Sequence, residues 1–416
     1  MVDKLTPARV TREAAIRFLL EAQHLRGRTT RDRPRTATAA AVLREIRHLE
    51  CLQIDPVSVV ERNQHLVLAA RMPGYRPRTL EDLLRGRRIF EYWANAACVI
   101  PMEDYPLFEG TRRRYRKRYA TDLNALRSVV RHVLSELGAN GPLAARTFVS
   151  DHRVRGAWDL GDPKTKATSH VLNILLKLGD IVVVRREGLE RYFDLPQRAV
   201  PAGFLERARA IRAAEADELM FEKYLRAYRL FDADDPRFGW RPMAAGIRRE
   251  AVLRCVRAGA VVPLAIDGVR RQYFIGADDF ETLRRLERTA RSETPPGPED
   301  RICFLAPLDN LLWRRNRIAD LFQFGYTWEV YLPLPKRRYG HYAMPILSGD
   351  RLIGRIDPQL DRARRRLVIR LLQLEPNVRA TARLRSALRS ALESFARFHG
   401  ATDLRAERTI PPGMRL

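Results

Sequence analysis

Two stretches of this chain repeat one pattern, and that pattern narrows the possible folds more than any other feature. Residues 176–193 read LKLGDIVVVRREGLERYF and residues 256–274 read VRAGAVVPLAIDGVRRQYF. In each, a helix runs into a glycine, Gly179 or Gly259, the residue type that most easily closes a helix in the left-handed conformation. A β-branched strand follows, then a turn glycine, Gly188 or Gly268, then a strand ending in Tyr192-Phe193 or Tyr273-Phe274. Helix, strand, tight turn and strand make the recognition helix and wing of a winged helix-turn-helix. An ordinary αβ domain with hairpins explains one such unit; matched spacing in two is harder to explain that way.

The flanking sequence extends the pattern. Residues 126–137 carry apolar positions at helical spacing, 141–148 (GPLAARTF) read as a short second helix, and 166–178 as the long third helix. A poorer third copy lies near the N-terminus: helices over 11–23 and 38–49, each opened by a threonine cap, then a strand over 89–101. ETPPGPED at 293–300 reads as a linker. Beyond it, WEVYLPLP, YAMPILSG, RLIGRID and RLVIRLLQL read as strands and 378–398 as a helix. The expected fold class is therefore α+β: three tandem winged helix-turn-helix units plus a C-terminal β-rich and helical element. The expected domains are 1–120, 121–205, 206–295 and 296–416.

Charge points to the partner. The 76 Lys and Arg residues exceed the 50 Asp and Glu by 26, and only seven of the 76 are lysine. A GC-rich genome explains arginine over lysine but not the uncompensated excess. Arginine grips phosphate bidentately and stacks on bases, so a nucleic acid is the expected partner. No apolar run approaches the ~20 residues of a membrane span, and the N-terminal stretch is not expected to be a secretory signal. Cys51, Cys98, Cys255 and Cys303 lack metal or disulfide spacing, and the eight histidines form no cluster with them. No phosphate-binding glycine loop is present. The expectation is a cytoplasmic, nucleoid-associated protein with no cofactor and no metal.

Two segments then carry a resemblance. LQIDPVSVVERNQHLVLAARMPGY (52–75), with FEYWANAACVIPMEDYPL (90–107), is one. FLAPLDNLLWRRNRIADLFQFGYTWEVYLPLPKRRYGHYAMPILSGDRLIGRID (304–357) is the other. Together they resemble the YcaQ-type crosslink-repair DNA glycosylases of the AlkZ-like superfamily, in order and over nearly the whole chain. The resemblance implies tandem winged helices in a C-shaped, DNA-clasping arrangement completed by a β-rich element. It implies hydrolysis of the N-glycosidic bond of N7-alkylated purines, and in some members the unhooking of interstrand crosslinks through guanine N7. It also implies a catalytic Gln-x-Asp, matched here by Gln53-Ile54-Asp55.

Those residue types suit the chemistry. N7-alkylation makes the purine a cationic leaving group, so the base needs little acid catalysis. Positive charge develops on the sugar instead, and a carboxylate beneath it stabilises that charge and orients or deprotonates water. Asp55 is the candidate. Gln53, two residues away on the same side of an extended segment, would position the water or a phosphate, with Ile54 turned to the core. Pro56 would stiffen the turn. From the local sequence alone, Asp55 reads first as a cap on the element after Pro56; the resemblance is what reverses that order. No lysine lies near the motif along the chain, so no Schiff base is expected and the enzyme should be monofunctional.

The expected DNA contacts are three groups. Asn63, Gln64 and His65 follow the motif, with a polar helix start as the plain alternative. Arg112, Arg113, Arg114, Arg116 and Lys117 form a basic run read as a phosphate-tracking helix. Lys336, Arg337, Arg338, Tyr339 and His341 are read as a hairpin tip turned at Gly340, arginines on phosphates and an aromatic wedged against a base step. Glu91 and Trp93 stay open, Trp93 as core and Glu91 as an arginine partner. The substrate expected is double-stranded DNA carrying alkylated purines, bound by a monomer. The main alternative is a non-catalytic winged-helix regulator; a nuclease built on acids such as those in DADD (232–235) ranks third.

Overall fold

Thr11 and Thr38 open helices by local chemistry: each side chain accepts a hydrogen bond from the amide three residues on, at the starts of Arg12–Ala22 and Ala39–Leu49. The computed structural model describes residues 6–26, 36–156, 159, 162–290, 301–412 and 414. The linker expected at 293–300 lies outside them. The chain divides into two compact units, each discontinuous. The first comprises Met1–Ala37, Gln53–Tyr75 and Leu225–Leu416; the second comprises Thr38–Leu52 and Arg76–Tyr224. Four consecutive domains were expected, whereas these units interleave along the sequence. In particular, the expected N-terminal winged unit is split, with Arg12–Ala22 in the first unit and Ala39–Leu49 and the strands Ile89–Trp93 and Ala97–Pro101 in the second.

The first unit holds two sheets. In the four-stranded one, Val261–Ile266 pairs antiparallel with Tyr273–Gly276 and parallel with the N-terminal strand Ala8–Val10. Leu230–Phe231 completes it. The helix Ala245–Arg257 precedes this hairpin, and both its glycines are left-handed, Gly259 at φ 73° and Gly268 at φ 70°. Phe18, Leu264, Tyr273, Leu283, Leu311 and Ile318 share the core beneath. The six-stranded sheet is built on Met344–Ser348, Arg351–Asp361 and Arg366–Leu374 in antiparallel order. The helix Ala382–Phe398 then leads to Asp403–Ala406, parallel to Arg366–Leu374.

In the second unit, the helix Ala167–Leu178 ends at Gly179 (φ 74°), and the hairpin Val182–Glu187 and Glu190–Asp194 turns at Gly188 (φ 59°). The expected helix at 141–148 is instead a two-residue strand, Leu143–Ala144, and a single 3-10 turn. Long-range pairing with Tyr192 and Phe193 decides this, which no local pattern announces. The buried Lys223 donates to Glu50 at 2.7 Å and to Asp104 at 2.6 Å. Burial opposes its charge, but the two carboxylates outweigh that and hold the ammonium above its ordinary range. Architecture overall is mixed α+β with repeated helix–strand–strand units.

A candidate active site at Asp55

Gln53 and Asp55 belong to the first unit. Gln53 is buried, Ile54 half-buried and Pro56 exposed, so Gln53 is more enclosed than Ile54, the residue expected to face the core. The backbone here is fixed by Asn63, whose amide donates to the Gln53 carbonyl at 2.9 Å and to that of Leu308 at 3.4 Å. Its carbonyl oxygen accepts from Leu308 N at 3.1 Å. One side chain thus staples the motif to the segment before the 3-10 turn Asn310–Leu312.

That segment is itself locked. Arg71 forms a two-pronged ion pair with Asp309 (2.7 and 2.8 Å), both side chains fully buried, and also donates to the carbonyls of Gln23 and Val67. Such a pair is tolerated inside a protein only when every other donor and acceptor is also engaged. Asp309 meets that condition by accepting from Leu311 N at 2.9 Å as well.

Asp55 is half-buried. Its Oδ1 accepts from Val57 N at 2.8 Å, closing a tight turn over Pro56. Its Oδ2 carries no hydrogen bond and no cation pairs with the carboxylate among the described residues. Burial pushes its pKa up, and the Val57 amide only partly offsets this. An unpaired, partly desolvated carboxylate in a chain with 76 cationic side chains is an unfavourable arrangement. It leaves negative charge poised for a positive ligand.

The buried Tyr342 feels the Asp55 charge, and a second carboxylate is bonded to its backbone. Tyr342 is raised well above its ordinary value by burial first, then by Asp55, Tyr326 and Glu61. Its backbone amide donates to Asp357 Oδ1 at 2.9 Å. Asp357 is only 5 % exposed, and burial raises its pKa against the amides of Tyr342 and His341 and the charge of Arg370. It sits at a register shift in Arg351–Asp361, next to Pro358. Beyond the shift, Leu360 stays paired with Leu367 and its N–H donates to Val59 O at 3.3 Å, while Arg362 donates to Val60 O at 2.9 Å. The strand therefore carries the residues just after the motif. Sequence reasoning missed Asp357, although a proline inside a strand is a signal of such a bulge.

The expected DNA contacts fare unequally. Asn63, Gln64 and His65 are 1 %, 3 % and 1 % exposed, so their assignment to a DNA-facing surface is corrected. His65 bonds Tyr75 Oη at 2.8 Å and Arg62 at 3.2 Å, and burial, then the Arg62 charge, lowers its pKa to about 3. The basic run does form a helix, Glu109–Arg118, in the second unit, but it is not a free stripe. Arg112 is buried over the Tyr105 ring at 3.8 Å, Arg113 binds Glu109 and the Ile211 carbonyl, Arg114 binds Asp217, and Arg116 binds Asp180. Lys117 is exposed. Glu91 is an arginine partner, held by Arg186 at 2.6 and 2.8 Å.

YLPLP is not a strand, and Lys336–Tyr342 is not a hairpin tip. Two 3-10 turns, Glu329–Tyr331 and Leu334–Lys336, fill the stretch, where Pro333 and Pro335 withhold ladder amides. Lys336 and Arg338 are exposed, whereas Arg337 turns back onto the Leu332 carbonyl at 2.7 Å. Tyr339 lies under Arg355 at 3.8 Å, and His341 is half-buried. Gly340 has φ 105°, and a Cβ there would fall 2.0 Å from Asp357 Oδ2. Of the DADD acids, Asp232 is buried and bound twice by Arg314 at 2.7 Å. No group of three or more His, Cys, Asp or Glu among the described residues is arranged to hold a metal. Nor is any of their helices long and apolar enough to cross a membrane.

Comparison with known proteins settles the family. Residues 46–398 match the family model described as DNA glycosylase AlkZ-like. The chain belongs to this family. Membership places it among the DNA glycosylases of DNA repair, and the match includes the motif, the Asn63 staple and the Asp357 strand. The chain also shares its fold with the Streptomyces sahachiroi DNA glycosylase AlkZ, at TM-score 0.59 and 16 % identity, covering 96 % of this chain and 100 % of that one.

Proposed function

We propose that this AlkZ-like protein is a monofunctional glycosylase of the Gln-x-Asp branch that hydrolyses the N-glycosidic bond of N7-alkylated purines in duplex DNA. The reading extends to guanine N7 interstrand crosslinks. The observation that carries it is the state of Asp55: half-buried, held by one backbone amide, with no ion pair to it among the described residues. A developing oxocarbenium ion supplies the missing positive charge in the transition state, where such a carboxylate is worth most. Gln53, fixed through its carbonyl by Asn63, positions the attacking water. The helix–strand–strand units serve as winged helices that embrace the duplex, one chain per lesion.

The absence of a lyase step is supported by where the lysines lie. Lys223 is buried between two carboxylates, and Lys177 donates to Tyr119 Oη at 2.8 Å. Lys336 is exposed on its loop.

The test is single-turnover cleavage of a duplex carrying one N7-methylguanine, and of one carrying a guanine N7 crosslink. Wild type should give strand breaks only after hot alkali and no covalent adduct on borohydride treatment. Asp55→Asn should slow release by about a hundredfold or more, the scale for removing a group aimed at developing charge, while DNA affinity persists. Abasic sites formed equally by Asp55→Asn would remove Asp55 from the chemistry. No abasic sites from wild type on either substrate would favour a DNA-binding protein without this activity.

A further inference from the structure

Two large apolar side chains of the first unit stand in solvent: Tyr331 at 79 % exposure and Leu334 at 76 %. They sit three residues apart on the two 3-10 turns that precede Tyr342. Exposed apolar groups are ordinary when scattered, but these two are held out by a built loop. Glu329, 5 % exposed, accepts from Tyr339 N at 2.7 Å, and Leu332 N donates to the Glu329 carbonyl at 2.9 Å. Arg337 crosses the loop to the Leu332 carbonyl, and Lys336 N closes onto Pro333 O at 2.9 Å. Trp328 backs Tyr331 edge-on at 5.9 Å and meets Tyr342 at 6.1 Å. Pro333 and Pro335 restrict the chain further.

The charges beside this projection have one sign. Lys336 and Arg338 are exposed, while Glu329, the loop's acid, is buried and engaged. Apolar tips flanked by free cations suit a polyanion with an apolar interior, which is a nucleic-acid duplex.

We infer that Tyr331 and Leu334 form a wedge pressed into the base stack beside the lesion, with Lys336 and Arg338 on the flanking phosphates. The inference rests on the DNA reading above and moves the wedge from Tyr339, which Arg355 covers, to Tyr331 and Leu334. The loop joins the site through Tyr342, so the wedge and Asp55 act on one stretch of DNA. An unstacked neighbour exposes the sugar to Asp55 and helps a bulky adduct be handled without free extrusion.

The test uses the full-length protein and two duplexes with 2-aminopurine next to the central position, one with N7-methylguanine there and one with a tetrahydrofuran abasic analogue. Wild type should raise 2-aminopurine fluorescence on both duplexes. The double variant Tyr331→Ala, Leu334→Ala should lose that rise and slow base release by about tenfold or more, the scale of one lost base–aromatic stack. Its salt dependence of binding should stay unchanged, because no cation is removed. Tyr331→Trp should retain the fluorescence rise, which separates unstacking from a general loss of fold. Wild-type fluorescence and cleavage in the double variant would overturn the wedge, as would a changed oligomeric state with DNA behaviour intact. If wild type releases no base, the glycosylase reading fails, and fluorescence on the abasic duplex still decides the wedge.

Discussion

Gly340 shows how a single residue can bind the site together. Its φ of 105° lies where side chains are strained, and any Cβ would collide with Asp357 Oδ2. The close approach lets the amides of His341 and Tyr342 reach the Asp357 carboxylate, which in turn seats Tyr342 near Asp55. Gly340→Ala should therefore destabilise the protein by about 1–3 kcal/mol from the backbone conformation alone, with the Asp357 clash added. Gly276→Ala, with nothing within 4 Å of its Cβ and an ordinary φ, should stay within about 0.5 kcal/mol of wild type. Urea unfolding of the two variants measures the difference, and equal midpoints would show that Asp357 yields to the methyl group. The same residues explain what sequence could reveal of the site. Gln53 and Asp55 are legible because motif and spacing are local, and the resemblance marks them. Asp357 and Tyr342 join Asp55 only through a strand 300 residues downstream, so no local pattern connects them. Asn63 was misread for a different reason: a polar side chain after a turn looks like surface until the carbonyls it satisfies are seen.

At the scale of elements, legibility follows the range of the forces. Both helix–strand–strand units were readable because their punctuation is local: Gly179, Gly188, Gly259 and Gly268 all adopt positive φ. The threonine-capped helices were readable for the same reason. Residues 143–144 and the YLPLP segment were not, since one is a strand only by pairing with Tyr192 and Phe193 and the other fails as a strand through its prolines. The basic helix Glu109–Arg118 is legible as a helix, but the ion pairs that occupy its arginines are not. Its carboxylate partners Asp180 and Asp217 lie 64 and 103 residues away. Cations already neutralised inside the protein release few counterions when DNA binds. Arg116→Ala should accordingly leave the slope of log Kd against log salt nearly unchanged. Replacing both Lys336 and Arg338 by alanine should make that slope shallower by about 2. Equal effects in a salt titration would return the helix to the DNA-contacting surface.

For the molecule as a whole, an excess of 26 positive charges does not make acid a benign condition, because two of its eight histidines, buried His65 and half-buried His399, sit where protonation is disfavoured. His65 is pressed to about 3 by burial and Arg62; His399, between Phe395 and Phe398 with ring centroids at 4.4 and 4.8 Å, is also lowered to about 3, by burial and Arg362. Both lie in the unit that carries Asp55. A histidine whose folded pKa is depressed binds its proton more readily once unfolded. Its contribution is thus present above the unfolded value of 6.5 and is lost as pH falls toward 3. Between pH 7 and pH 5 the loss at fully buried His65 amounts to about 2 kcal/mol, a large fraction of the stability of a typical domain. Unfolding of this unit, followed by urea titration at the two pH values, should show that decline, and His65→Gln should flatten it while lowering stability at pH 7 through loss of the Tyr75 bond. An unchanged pH dependence in the variant would mean that His65 is free to take up its proton in the folded state, and the helix after the motif would then be less tightly closed than its burial indicates. The motif's geometry depends on that closure, since Asn63 begins the same helix, Asn63–Arg71, and holds Gln53 by its carbonyl. Acid that protonates His65 should thus loosen the Asp55 turn before it unfolds the chain, and base release should fall at a higher pH in wild type than in His65→Gln.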